Sequence, residues 1–262
     1  MSGTSLDGVD AALIRTDGQG FVETLAYTTL PYTEKIKSKI RACLGKTDKA
    51  DSDVAETERL MTFQHVEAVE ALLRKTDFLA SEIDLIGFHG QTIFHDPANK
   101  KTVQIGDGDL LASETCINVV NDFRTADVKA GGQGAPFLPL YHWARIKLSK
   151  AELPVAIINL GGVANITWIG PQDTDIVAFD TGPGNALIDD FIFQRTGEGY
   201  DKNGAIAAQG NVNVQMLDDW MSHPYFDQPV PKSLDRNNWD VSAVEKLETS
   251  DGAATLTAFT VN

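Results

Sequence analysis

The stretch VAIINLGGVANITWIGPQDTDIVAFDTGPGNALIDDFIFQ, residues 155–194, decides the fold class. Residues 155–160 and 165–169 are two apolar runs, and Gly161-Gly162 between them supplies a turn, so the pair reads as a hairpin. A further strand over 176–179 runs into Asp180-Thr181-Gly182-Pro183-Gly184-Asn185, and a helix is expected from Ala186 to about Gln194. Strands that pass through glycine-rich turns into helices indicate α/β layers.

The residues before this stretch follow the same grammar. Strands are expected over 9–14 and 24–30, the second broken by Pro31, then a short basic helix over 36–44. Asp51, Ser52 and Asp53 offer N-caps to a helix whose Leu60, Phe63, Val66, Val69 and Leu72/Leu73 recur at steps of three and four, a buried stripe. Residues 83–88 read as a core strand ending in His89-Gly90-Gln91-Thr92. Residues 102–105 and 117–120 read as short strands, the latter ending in Asn121-Asp122-Phe123-Arg124. A helix over 136–148 and a hinge over 149–154 divide the chain into domains 1–150 and 151–262. Beyond Asn211, residues 212–221 and 241–247 are periodic, and residues 256–262 look like the start of one more helix.

Composition narrows the partners. The 262 residues are 42% hydrophobic and 23% charged, enough for a sizeable core. Acidic side chains outnumber basic ones 37 to 22, a net charge of −15, which argues against nucleic acid and anionic lipid as partners. Phosphate remains compatible, because backbone amides hold it without net positive charge. Cys43 and Cys116 have no metal or redox spacing, and no apolar run approaches the ~20 residues of a membrane span. With no secretory signal at its start, the chain is expected in the cytoplasm.

The chemistry-bearing residues cluster where strands end, the usual place for sites in α/β folds. Ser2-Gly3-Thr4-Ser5-Leu6-Asp7-Gly8 combines small residues, hydroxyls and amides suited to phosphate, with Asp7 able to hold a metal–nucleotide complex through water; the same composition also suits a plain hairpin turn. Gly45-Lys46-Thr47 is not a P-loop, because Ile40 stands where the first glycine is needed. His89, Gln91 and Thr92 can grip sugar hydroxyls, and His89 with His95 lacks the third ligand a zinc site needs. Arg124 suits a carboxylate or phosphate, or a local ion pair with Asp122. Asp180, at a strand end in a glycine-rich frame, suits a general base for phosphoryl transfer, or a turn-capping aspartate.

Six segments, MSGTSLDGVD, FHGQTIFHDP, TVQIGDGDLLA, NDFRTADVKAGGQGAPFLP, INLGGVANIT and FDTGPGNALID, resemble in sequence and order those of the anhydro-N-acetylmuramic acid kinases, over residues 1 to about 210. The resemblance implies the two-lobed, actin-like ATPase fold (ribonuclease H-like) of the sugar kinase, heat-shock ATPase and actin superfamily, with ATP and Mg²⁺ as cofactors. It makes Ser2, Gly3, Thr4, Ser5, Leu6, Asp7, Gly8 and Val9 the first phosphate loop, and residues 159–165, with Gly161, Gly162 and Asn165, the second. It makes Asp180 the catalytic base and places His89, Gln91, Thr92, Asp122, Arg124, Gly184 and Asn185 near the sugar. The implied reaction opens 1,6-anhydro-N-acetylmuramic acid and phosphorylates O6, in recycling of bacterial cell-wall fragments. A levoglucosan-type kinase and a non-catalytic sugar-binding fragment are the alternatives, and a homodimer is a further option. Family members also have a strand before MSGTSLDG and roughly another hundred residues carrying an adenosine loop, so the second lobe is expected to be truncated here.

Overall fold

The computed structural model describes residues 1–3, 6–172, 175–234 and 238–262, a mixed α/β chain of helices and small sheets. It forms two compact units, Met1–Ala151 and Glu152–Asn262. Among the described residues no helix is long and apolar enough to cross a membrane.

The first unit begins with an antiparallel hairpin, β1 (Gly8–Thr16) and β2 (Val22–Pro31), with a bulge at Leu13/Ile14. Pro31 closes β2 opposite Gly8 at the strand's last position, where its missing N–H breaks no ladder. Thr33 caps α1 (Glu34–Cys43), and the Asp51 carboxylate accepts the amides of Asp53 and Val54 to start α2 (Ser52–Leu73).

The buried face of α2 differs from the expected stripe. Val54, Thr57, Met61, His65, Ala68 and Leu72 face the core, while Leu60 is exposed and Phe63 and Val69 are half-buried. The face carries a threonine and a histidine that each bond within the helix: Thr57 Oγ1 donates to Asp53 O, and His65 Nδ1 to Met61 O, while His65 Nε2 stays buried without a partner.

A short strand, β3 (Ile86–Phe88), pairs in parallel with β6 (Val119–Asn121). The intervening chain supplies the crossover: β4 (Gln91–Asp96) and β5 (Lys101–Ile105) form an antiparallel ladder, followed by α3 (Gly108–Thr115). Gly90, at φ +71°, makes the turn from β3 into β4, where an added Cβ would stand 2.3 Å from Ile105 O. Helices α4 (Thr125–Ala130) and α5 (Pro139–Ser149) complete the unit.

In the second unit β7 (Val155–Leu160), β8 (Val163–Ile169) and β9 (Ile176–Pro183) form an antiparallel meander. Strand β7 is its edge, with Ile158 64% exposed and Leu160 50%. The β9 strand runs four residues past the expected end, so Asp180 lies inside it, opposite Asn165, next to a bulge at Ala164/Asn165. Helix α6 (Ala186–Thr196) follows, then α7 (Val214–Met221) and α8 (Thr249–Val261). Helix α8 begins earlier than its sequence start at 256 suggested, and residues 242–246 are a 3₁₀ helix. Two clusters hold the helices: Ile188, Phe191 and Ile192 against Ala253 and Leu256, and Tyr225, Leu234 and Trp239 against Phe259.

Candidate active site

The turn before β1 is anchored from below. Ser2 and Gln91 are both 1% exposed, and Ser2 Oγ donates to Gln91 Oε1 at 2.5 Å. The Gln91 amide also donates to Thr92 O at 3.1 Å, so this side chain is spent on the turn and on its own strand. Leu6 and Val9 are core residues whose main chains alone face the turn, with Leu6 in a left-handed conformation at φ 55°. Asp7 is exposed, and its carboxylate accepts the Gly8 amide at 3.0 Å. Burial pushes the nearby Tyr32 phenol up to about 12. Thr4 and Ser5 lie outside the described residues.

Beyond β3 a cleft of about 510 Å³ opens, a volume suited to a small ligand. Phe88, Val103 and Ile105 supply apolar surface, while His89, Gln104, Asn121 and Asp122 supply polar groups. Arginine can only donate, so the Arg124 Nε–H bond to His89 Nε2 at 2.8 Å fixes the imidazole tautomer, with Nδ1–H donating to Gly90 O at 2.8 Å. Burial, then the Arg124 charge, lowers His89 to about 4, so this ring is neutral at pH 7. Arg124 also donates to Gly134 O and lies 4.6 Å from the Phe137 ring centroid. Asp122, at φ 55°, accepts the Thr125 hydroxyl. Thr92 Oγ1 accepts from Gln104 at 3.2 Å.

In the second unit the Gly161-Gly162 turn is clasped by the residues after β9. Gly184 N and Ala186 N donate to Gly162 O at 3.1 and 3.3 Å, and Asn185 N donates to Gly161 O at 2.7 Å. The Asn185 side chain donates to Leu160 O at 2.7 Å, so it holds the turn as well. The turn therefore sits on the N-terminus of α6, whose leading amides are spent on it while the helix dipole favours an anion nearby.

Asp180, 7% exposed, is held by a segment that sequence reasoning did not single out. Its N–H donates to Lys232 O at 3.0 Å, its O accepts the Tyr225 hydroxyl at 2.7 Å, and its Oδ2 accepts Leu234 N at 2.8 Å. Burial, then the Asp180 charge, pushes the Tyr225 phenol up, so it acts as a donor. Most of these contacts run through main-chain atoms, which leave no signature in side-chain identity.

A family model described as anhydro-N-acetylmuramic acid kinase matches residues 1–262. The chain is similar to the anhydro-N-acetylmuramic acid kinase of Zymomonas mobilis, 48% identical over 99% of this chain and 73% of the relative. The enzyme of that name from Rhizorhabdus wittichii is 49% identical over 99% and 72%, and that from Rhodospirillum rubrum 48% identical over 99% and 68%. With the whole chain matched and near-half identity to several relatives, the protein belongs to the anhydro-N-acetylmuramic acid kinase family, and with it to the ATP-dependent kinases.

Proposed function

We propose that this kinase uses ATP to convert 1,6-anhydro-N-acetylmuramic acid into N-acetylmuramic acid 6-phosphate. Asp180 takes a proton from water, the water oxygen bonds to the anomeric carbon, and the anomeric carbon's bond to O6 breaks. O6 then bonds to the γ-phosphorus and ADP leaves. The observation that carries this reading is a nearly buried carboxylate, pinned on both its main chain and its Oδ2, in the strand that leads into the residues clasping the glycine turn. A base fixed in this way has its orientation set before substrate arrives.

In this reading residues 2–9 and the turn carrying Gly161, Gly162 and Asn165 hold the ATP phosphates. Those turns fit that task through their small residues, the dipole of α6 and the exposed Asp7 carboxylate. Mg²⁺ would neutralise charge on the phosphates, held chiefly by phosphate oxygens and water. His89, Thr92, Asp122 and Arg124 serve the sugar side, with Gln91, Gly184 and Asn185 supporting the loops. The fold is that of a two-lobed, actin-like ATPase, its lobes at 1–150 and 151–262, working in the cytoplasm on recycled cell-wall sugar. The named relatives do not favour a levoglucosan-type kinase or a purely sugar-binding role.

Asp180→Asn is the test. Turnover should fall by about a hundredfold or more, while calorimetry still detects binding of both ligands. A variant keeping more than about a tenth of wild-type kcat removes Asp180 from the role of base.

A further inference from the structure

Lys232 carries its charge in an unfavourable place. The residue is 8% exposed, and its ammonium donates to Tyr225 O at 2.8 Å and Phe226 O at 3.1 Å. It also lies 4.5 Å from the Tyr225 ring centroid and 6.0 Å from that of Phe179. Among the described residues no carboxylate forms an ion pair with it. Burying an ammonium against neutral partners is costly, and carbonyl oxygens and ring faces must offset the lost hydration. An apolar side chain would fill this volume without that cost. What the ammonium adds is a pair of directional bonds.

Those bonds fold the chain back on itself. They tie residue 232 to residues 225 and 226, so that one closed loop presents three groups to Asp180. The Tyr225 hydroxyl reaches Asp180 O, Lys232 O accepts Asp180 N, and Leu234 N reaches the carboxylate itself. Phe226 stacks on Trp239 with centroids 5.3 Å apart, which fixes the loop against the aromatic cluster.

We propose that Lys232 is a positioning residue for the general base. Its ammonium locks the 225–234 loop, and the loop sets where the Asp180 carboxylate points. This rests on the assignment of Asp180 as the base. The residue acts through the loop and makes no contact with substrate.

The experiment compares Lys232→Met, Tyr225→Phe and the double variant, with kcat and KM for both substrates normalised to folded protein by thermal melts. Lys232→Met keeps the stem and removes the donors; kcat should fall about tenfold to a hundredfold, with both KM values within about threefold of wild type. Tyr225→Phe deletes one of the three holds and should lose less. The double variant should be no worse than Lys232→Met alone, because both act through one loop. Wild-type kcat per folded Lys232→Met molecule, or a loss confined to KM, overturns the proposal. If Lys232→Met does not fold, Tyr225→Phe decides, and undiminished kcat there overturns it. An inactive Asp180→Asn beside a fully active Lys232→Met leaves the base in place and removes Lys232. An active Asp180→Asn beside an impaired Lys232→Met removes the base, and the proposed route with it.

Discussion

Gly184→Ala should damage the second glycine turn from behind. A Cβ at this position would stand 2.1 Å from Gly161 O, 3.0 Å from Val163 C and 3.1 Å from Ala164 N. All three are main-chain atoms, so no side chain can swing aside. Relief requires the turn to move by about 1 Å, straining the bonds that Gly184, Asn185 and Ala186 make to Gly161 and Gly162. Overpacking of this kind costs about 1–3 kcal/mol, and weakening part of a hydrogen-bonded clasp adds about 1 kcal/mol. Roughly 3 kcal/mol in total corresponds to a fall in melting temperature of about 6–12 °C for a chain of this size. Since the clasp shapes the proposed second phosphate loop, kcat/KM for ATP should fall about tenfold or more. Calorimetric melts and initial rates at varied ATP measure both effects. A melting temperature within about 2 °C of wild type, with unchanged KM for ATP, would refute the argument that Gly184 is required for close approach.

Ser2→Ala should destabilise the first unit by about 1–3 kcal/mol, because Gln91 Oε1 loses its buried donor; a denaturant midpoint equal to wild type would contradict this. His89 and His65 are held at about 4 and about 3, chiefly by burial, against 6.5 for the free side chain. Their folded values are depressed, so as pH falls through 6.5 the unfolded chain binds protons that the folded chain refuses. Stability should therefore be level above about pH 6.5 and decline from there toward pH 4. Urea midpoints across this range, with His89→Gln showing a shallower decline than wild type, check the assignment.

The parts of the fold carried by side-chain pattern were legible. The β7 and β8 hairpin, the turn between them and α6 follow from apolar runs broken by glycine. What escaped was structure carried by polar residues or by the main chain. Strand β4 opens with Gln91 and Thr92, which look like loop residues until Gln91 is seen bonded to Ser2 and Thr92 to Gln104. The face of α2 was misjudged because Thr57 and His65 occupy core positions, each with a side-chain bond to a carbonyl one turn earlier in the helix. Strand β9 was cut short because Gly182 and Pro183 usually mark a turn, whereas here both residues pair with β8. At the site, residue types pointed to Asp180 and the glycine turns, but the loop around Lys232 depends on carbonyl oxygens that any residue supplies.

The bond between Ser2 and Gln91 also bears on how two ligands sense each other. It joins the turn proposed to hold phosphate to the strand that begins immediately after His89 and Gly90, and both partners are sealed from water. A ligand that tightens one end of this connection alters the free energy of ordering the other. Linkage then requires the effect to be equal in both directions: the factor by which sugar strengthens nucleotide binding is the factor by which nucleotide strengthens sugar binding. A single hydroxyl of low chemical reactivity would thus set part of the cooperativity between the two substrates.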